Sequence, residues 1–238
     1  MKSKKVTFKK QKSTKASVLW ACFYVLLVLV LCASSSIFYA RYAYSPVYID
    51  GSSMAPTLNK DESNGRKDFG FVDESQKCID SISRYDIVTC YYPFADEKDY
   101  KQPYQKGDEP LENATHKIKR VIAAPGDTFQ IINNNIYYFD GPQDTEGELA
   151  KLPFEINLGV NNIANINTNK LTMAEDEYFV MGDNWIASKD CADSGKPIYK
   201  DNIIGVLICI VGTCNVKNGP NNTHVITDKQ YHWPVFYK

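Results

Sequence analysis

From Ala16 to Ala40 the chain carries no charged residue, and the centre of this stretch, Val25-Leu-Leu-Val-Leu-Val-Leu31, is unbroken aliphatic. A helix over these positions reaches about 37 Å at about 1.5 Å per residue, enough to cross a hydrocarbon core of about 30 Å. Trp20, Tyr24, Tyr39, Tyr42 and Tyr44 stand towards its two ends, where amphipathic rings favour the headgroup region. After it the pattern changes. Short runs rich in Val, Ile, Tyr and Phe recur at 87–92, 118–122, 129–132, 136–139, 177–181 and 203–211. Turn formers separate them, among them Pro125-Gly-Asp127, Asn133-Asn-Asn135 and Gly182-Asp-Asn184, so the runs read as strands. The pair around the asparagines reads as a hairpin. Ile203–Val211 is too short to span a bilayer and reads as a buried strand. Three polar stretches interrupt the pattern. Those at 59–83 and 95–115 read as surface loops, and 141–172 as a small accessory lobe. The expected fold is mainly β: an N-terminal transmembrane helix, then a coiled antiparallel β-sheet domain.

Length and charge sharpen the picture. The 238 residues hold one domain with accessories. The net charge of −1 hides an asymmetry, because residues 1–15 contain seven lysines and no acid. The remainder then has 20 basic against 28 acidic residues, a charge of −8. A nucleic-acid binder carries its positive charge on the folded body, so nucleic acid is not an expected partner. Lysines before the apolar stretch and only Arg41 just after it leave the N-terminus in the cytoplasm by the positive-inside rule. The expected organisation is a cytoplasmic tail (1–15), a single membrane anchor (16–40) in contact with lipid, and an extracytoplasmic domain (41–238) at the cell membrane. The alternative is a cleaved secretory signal, for which Cys32-Ala-Ser-Ser-Ser36 supplies small residues, although the apolar stretch exceeds the usual signal core. Bulky Leu31 before Cys32 opposes a lipoprotein.

Beyond the anchor stand Cys78, Cys90, Cys191, Cys209 and Cys214, an odd number, so at least one is free or pairs between chains. The three histidines show no metal-ligand spacing, and no metal, nucleotide or other cofactor is expected. Glycosylation sequons occur at Asn113 and Asn221.

Three segments bear chemistry. Ser53 lies in Gly51-Ser-Ser-Met-Ala-Pro-Thr-Leu58, where Gly51 permits close backbone approach and Pro56 stiffens the chain. It follows the anchor by about ten residues, which keeps it near the bilayer. The same letters also read as a simple turn. Lys119 and Arg120 stand inside an apolar strand, Ile118-Lys-Arg-Val-Ile-Ala-Ala124, so one of them is expected to point inward. A buried lysine loses hydration of its charged form, its pKa falls, and the neutral amine serves as a general base for a hydroxyl. The alternative is that both snorkel to water. The third segment, Gly182–Gly195, is dense in hydroxyls and carboxylates suited to orienting another side chain, or is a long polar loop.

These three segments in this order, with Arg84-Tyr-Asp-Ile-Val88 between the first two, resemble the bacterial type I signal peptidases, in the Gram-positive style. The resemblance covers roughly residues 18–212. It implies a signal-peptidase-type catalytic domain: a serine endopeptidase that cleaves signal peptides from exported preproteins with a serine–lysine dyad. By position, Ser53 matches the nucleophile and Lys119 the general base. Ser188 matches the serine that orients that lysine, and Asp190 the supporting acid. The Ser53 main-chain N–H matches the oxyanion donor. Gly51 stands where some members place a further serine for that role. The resemblance also implies shallow pockets for small side chains one and three positions before the cut. Two departures stand out. Trp185 replaces the usual arginine after Gly-Asp-Asn, and Asp190-Cys-Ala192 replaces Asp-Ser-Arg. The carboxylate–arginine pair expected there is therefore missing, or rebuilt with Lys189 or Lys196. His116, three positions before Lys119 and so on the opposite strand face, reads as a surface residue although some relatives use a histidine base. The alternative functions are a dedicated processing peptidase, or a non-catalytic assembly factor of a surface or pilus system with the same fold. Secretion or pilus machinery is then a partner.

Overall fold

The computed structural model describes residues 14–60, 65–94, 100, 104–112, 114–218 and 224–238. Most of the basic tail and both sequon asparagines, Asn113 and Asn221, lie outside the described residues. The chain divides into two units, 1–43 and Tyr44–Lys238.

The first unit is one helix, α1 (Thr14–Ala43). It extends three residues past the expected end of the anchor. Ala16–Ala43 is long and apolar enough to cross a membrane. Its large apolar side chains are exposed, Leu26 at 61% and Phe38 at 75%. A helix that is mostly apolar all round is stable in lipid, where every backbone polar group is bonded within the helix.

The second unit is built from strands β1 (Tyr44–Tyr48), β2 (Lys67–Asp73), β3 (Ile87–Tyr91), β4 (His116–Ala123), β5 (Thr128–Ile132), β6 (Asn135–Phe139), β7 (Glu148–Leu149), β8 (Leu171–Thr172), β9 (Glu177–Met181), β10 (Ile198–Tyr199), β11 (Ile203–Asn218) and β12 (His224–Phe236). The main sheet has the order β1-β2-β11-β3-β4-β9-β10, with β12 also paired to β11. Its strand pairs are antiparallel, and register shifts within β11 and between β4 and β9 mark the bulges that let it coil. A second sheet, β7-β6-β5-β8, packs its inner residues Phe129, Ile131 and Ile136 into the main core with Val121, Phe179 and Val180. Residues 141–172 supply the two edge strands of this second sheet, beside the β5–β6 hairpin. That hairpin turns through Asn133 and Asn134 at φ 49° and 65°, the left-handed pair a tight two-residue turn requires. The α-helices of the second unit among the described residues, α2 (Gln76–Ile79) and α3 (Cys191–Ser194), are single turns.

One sequence expectation needs correction, and a second needs one exception. Residues 59–83 are not a surface loop, because β2 lies inside the main sheet between β1 and β11, with Phe69 and Val72 buried. Its Gly70 passes so close to β11 that an added Cβ would stand 2.1 Å from Cys209 O. Within 95–115 the described residues are loop and exposed or half-buried except Tyr100, which is fully buried and accepts from Asn202 Nδ2 at 3.0 Å. The five cysteines of the second unit are free and buried.

Candidate active site

The segment after β1 is held by its own side chains rather than by a sheet. Gly51 takes φ +82°. Asn59 Nδ2 donates back to Ile49 O at 2.8 Å and Gly51 O at 3.1 Å, which closes the loop. Met54 and Leu58, four apart, drop into a small core with Ile49, Val72, Ile87, Leu207 and Ile210. Burying two such side chains contributes about 1.5–3 kcal/mol each and fixes the backbone on which Ser53 stands.

β4 brings the other half. Lys119 lies opposite Val88 of β3, only 4% exposed, with its Nζ 3.0 Å from Ser53 Oγ and 3.2 Å from Ile118 O. Burial holds its pKa below the ordinary lysine value; the largest opposing influences, Cys90 and Asp190, do not reverse this. Cys90 is itself pushed up to about 12 by burial and brings no counter-charge at neutral pH. Arg120, on the other face of β4, is buried as well. The expectation that only one of the two basic side chains points inward is thus too narrow. Arg120 Nε and Nη2 donate to Asp183 Oδ1 and Oδ2 at 2.8 and 2.6 Å, and its guanidinium stacks over Phe154 at 4.0 Å. Thr57 Oγ1 donates to the same carboxylate at 2.5 Å.

A buried carboxylate–arginine pair therefore exists, but between Asp183 and Arg120. Lys189 and Lys196 are both exposed and do not rebuild one at Asp190. Asp190 is instead satisfied by backbone donors. Its Oδ2 accepts from Gly182 N–H at 2.9 Å and its Oδ1 from Ala192 N–H at 3.1 Å, as the N-cap of α3. Burial still raises its carboxyl pKa despite these bonds. The Ser188 hydroxyl is buried and has no hydrogen-bond partner among the described residues, although it lies near enough to bias the Asp190 carboxyl downward. The bond from Ser188 to Lys119 implied by the family resemblance is not formed here. Trp185 is buried, and its Nε1 has no partner among the described residues. His116 is exposed and packs edge-on against Tyr91.

Gly182-Asp-Asn184 grips the Ser53 segment directly. Asn184 N–H donates to Ser53 O at 3.0 Å, and Asn184 Nδ2 to Ser52 O at 3.0 Å. Gly182 approaches so closely that a Cβ there would meet Ser53 O at 2.3 Å and Ser188 Oγ at 2.4 Å. Neither this clamp nor the Arg120–Asp183 pair was anticipated. The available signals were a doubly charged pair in mid-strand and an acid just after Gly182. The Ser53 N–H makes no hydrogen bond to the described residues, whereas Gly51 N–H donates to Asp50 Oδ1 at 3.0 Å. The pair opens on a cleft of about 780 Å³, walled by Val47–Gly51 on one side and Ala114–Lys119 on the other. No group of three or more His, Cys, Asp or Glu that could hold a metal occurs among the described residues.

Comparison with known proteins shows the family of the chain. The family described as signal peptidase, peptidase S26, matches residues 18–211. Signal peptidase I of Bacillus amyloliquefaciens is 29% identical over 202 residues, covering 84% of this chain and 89% of that protein. Signal peptidase I T of Bacillus subtilis (strain 168) is 28% identical over 196 residues, covering 82% and 85%. A crystal structure of a signal peptidase I from Enterococcus faecalis V583 shares 22% identity, covers 53% of this chain and 97% of its own, and has a TM-score of 0.35. The protein is a membrane-anchored serine endopeptidase with a mainly antiparallel β body. The chain belongs to the signal peptidase family, peptidase S26, and is of the bacterial type I, Gram-positive-like kind.

Proposed function

We propose that Ser53 is the nucleophile and Lys119 the general base of an enzyme that removes N-terminal signal peptides from exported proteins. The observation that carries this reading is the 3.0 Å approach of a buried lysine amine to Ser53 Oγ at the edge of an open cleft. Neutral Lys119 takes the Ser53 proton as Oγ bonds to the scissile carbonyl carbon. The oxyanion is held by the Ser53 N–H, which makes no hydrogen bond to the described residues. The Lys119 ammonium then protonates the leaving amine as the C–N bond breaks. Water, deprotonated by Lys119, hydrolyses the acyl-enzyme and restores Ser53.

The substrate is an extended segment lying along the cleft between β1 and the start of β4. Among the described residues β9 pairs with β4 only from Arg120 onward, and strand addition along the cleft is the binding mode proposed. Ser188 and Asp190 act as supporting residues, with Asp190 fixing Gly182 against the Ser53 segment. The lysine-rich tail favours a cytoplasmic N-terminus, with the β unit on the opposite side of the membrane. Tethering keeps enzyme and membrane-inserted substrate together.

The test uses the full chain in detergent with a preprotein. Ser53→Ala and Lys119→Ala each abolish cleavage while the fold is kept, and retained cleavage in either variant contradicts the dyad. The contact between Ser53 and Lys119 favours this reading over a non-catalytic assembly role. A panel of signal peptides separates a general processing enzyme from one dedicated to a single partner.

A further inference from the structure

The family match stops at residue 211, yet the chain beyond it returns to the back of the Ser53 segment. After β12, Tyr237 N–H donates to Ile208 O at 2.9 Å, which docks this residue on β11. Tyr237 packs against the small core that holds Met54 and Leu58, and its hydroxyl reaches Thr57 O at 3.5 Å. Lys238 Nζ donates to Ser81 O at 2.9 Å and pairs with the carboxylate of Asp86. That carboxylate also accepts from Ser83 N–H at 2.8 Å, and Asp86 O accepts from Val121 N–H at 2.9 Å, two residues along β4 from Lys119. Tyr237 and Lys238 therefore touch both the loop that carries Ser53 and the turn that braces the strand carrying Lys119.

We propose that Tyr237 is a positioning residue for Ser53, with Lys238 as its tether, so that the segment beyond the family match serves as a brace for the reaction. This rests on the reading of Ser53 as nucleophile. The segment 51–58 belongs to no strand or helix, so its shape depends on what packs behind Met54 and Leu58. Removing the ring leaves space into which that backbone relaxes, and an error of about 1 Å at a nucleophile costs on the order of 10² in rate. Tyr237 lines a separate cavity of about 650 Å³ with Pro56, Thr57, Arg120 and Phe154, not the cleft beside Ser53. Its loss therefore weakens turnover and leaves substrate binding alone.

The experiment compares Tyr237→Ala, Tyr237→Phe and Lys238→Met with the unaltered full chain in detergent, measuring kcat, KM and the burst that counts working sites. Tyr237→Ala should lower kcat per working site by about tenfold or more with KM within about twofold. Tyr237→Phe, which keeps the ring, should stay within about threefold of the unaltered enzyme, since the long hydroxyl contact is weak. Lys238→Met should lower kcat by about threefold with KM unchanged. A smaller burst with unchanged kcat per site would mean simple destabilisation and overturn the proposal, as would a rise in KM alone. If Tyr237→Ala does not fold, an unchanged kcat in Lys238→Met overturns it. Ser53→Ala run in parallel separates the two ideas: activity there defeats the nucleophile assignment, whereas its loss with normal kcat in the three variants defeats the brace alone.

Discussion

Gly182→Ala is the smallest change that should disable the site without touching a proposed reacting group. The added Cβ would stand 2.3 Å from Ser53 O, 2.4 Å from Ser188 Oγ and 2.7 Å from Ser188 Cβ, whereas real Cβ contacts essentially never fall under 3.0 Å. The Ser188 side chain can rotate away; the Ser53 carbonyl cannot, because it is backbone. It must part from Gly182 by at least 0.7 Å, the difference between 2.3 and 3.0 Å. That movement also strains the 3.0 Å bond from Asn184 N–H to Ser53 O. Overpacking of this kind costs about 1–3 kcal/mol of stability, and a shift approaching 1 Å at the nucleophile costs on the order of 10² in rate. Preprotein cleavage and thermal melting of the full chain in detergent measure the two effects. The expected result is a folded enzyme that has lost most of its kcat/KM. Activity within about threefold of the unaltered enzyme would refute the argument that Gly182 sets the position of Ser53.

Other outcomes follow from the same geometry. Asp183→Asn leaves Arg120 buried beside a neutral partner, and breaking such a pair costs about 3–5 kcal/mol; melting should fall by about 6 °C or more, with activity falling because the charge that binds Arg120 and Thr57 together beside the Ser53 segment is lost. Lys119→Met should inactivate the enzyme yet stabilise the fold near neutral pH. The folded-state pKa of Lys119 lies below its unfolded value, so the unfolded chain binds more protons between the two. Stability of the unaltered protein therefore rises with pH across that window. The advantage of Lys119→Met should be largest below the folded value and shrink towards 10.5, as followed by melting against pH; a variant less stable at every pH would contradict the cost assigned to the buried amine.

The strands rich in Val, Ile and aromatic residues were legible because both the apolar runs and the turns between them carry local signals. β3 and β9 fall close to their sequence bounds, and the Asn133-Asn134 hairpin is where its turn chemistry puts it. β2 was hidden because Lys67-Asp-Phe-Gly-Phe-Val-Asp73 mixes charge with a glycine whose reason is tertiary, the close pass of Cys209 O. β12 was hidden because Asp228-Lys-Gln230 and Pro234 interrupt it, features an edge strand tolerates and a central one does not. In the site, no periodicity links Ser53 to Lys119 sixty-six positions away; only the order of the short motifs did so. The family resemblance implies an ion pair downstream of Ser188, and the pair lies instead at Asp183–Arg120. Strand alternation had already put Arg120 on the face opposite Lys119, but which acid waits there is decided by tertiary packing.

The central claim is an uncharged lysine bonded to Ser53 at working pH. NMR titration of the Lys119 side chain in the labelled full chain in micelles, assigned by its loss in Lys119→Met, reads that charge directly. The account predicts an amine that gives up its proton below the ordinary lysine value of 10.5. An amine that stays protonated up to that value would contradict it.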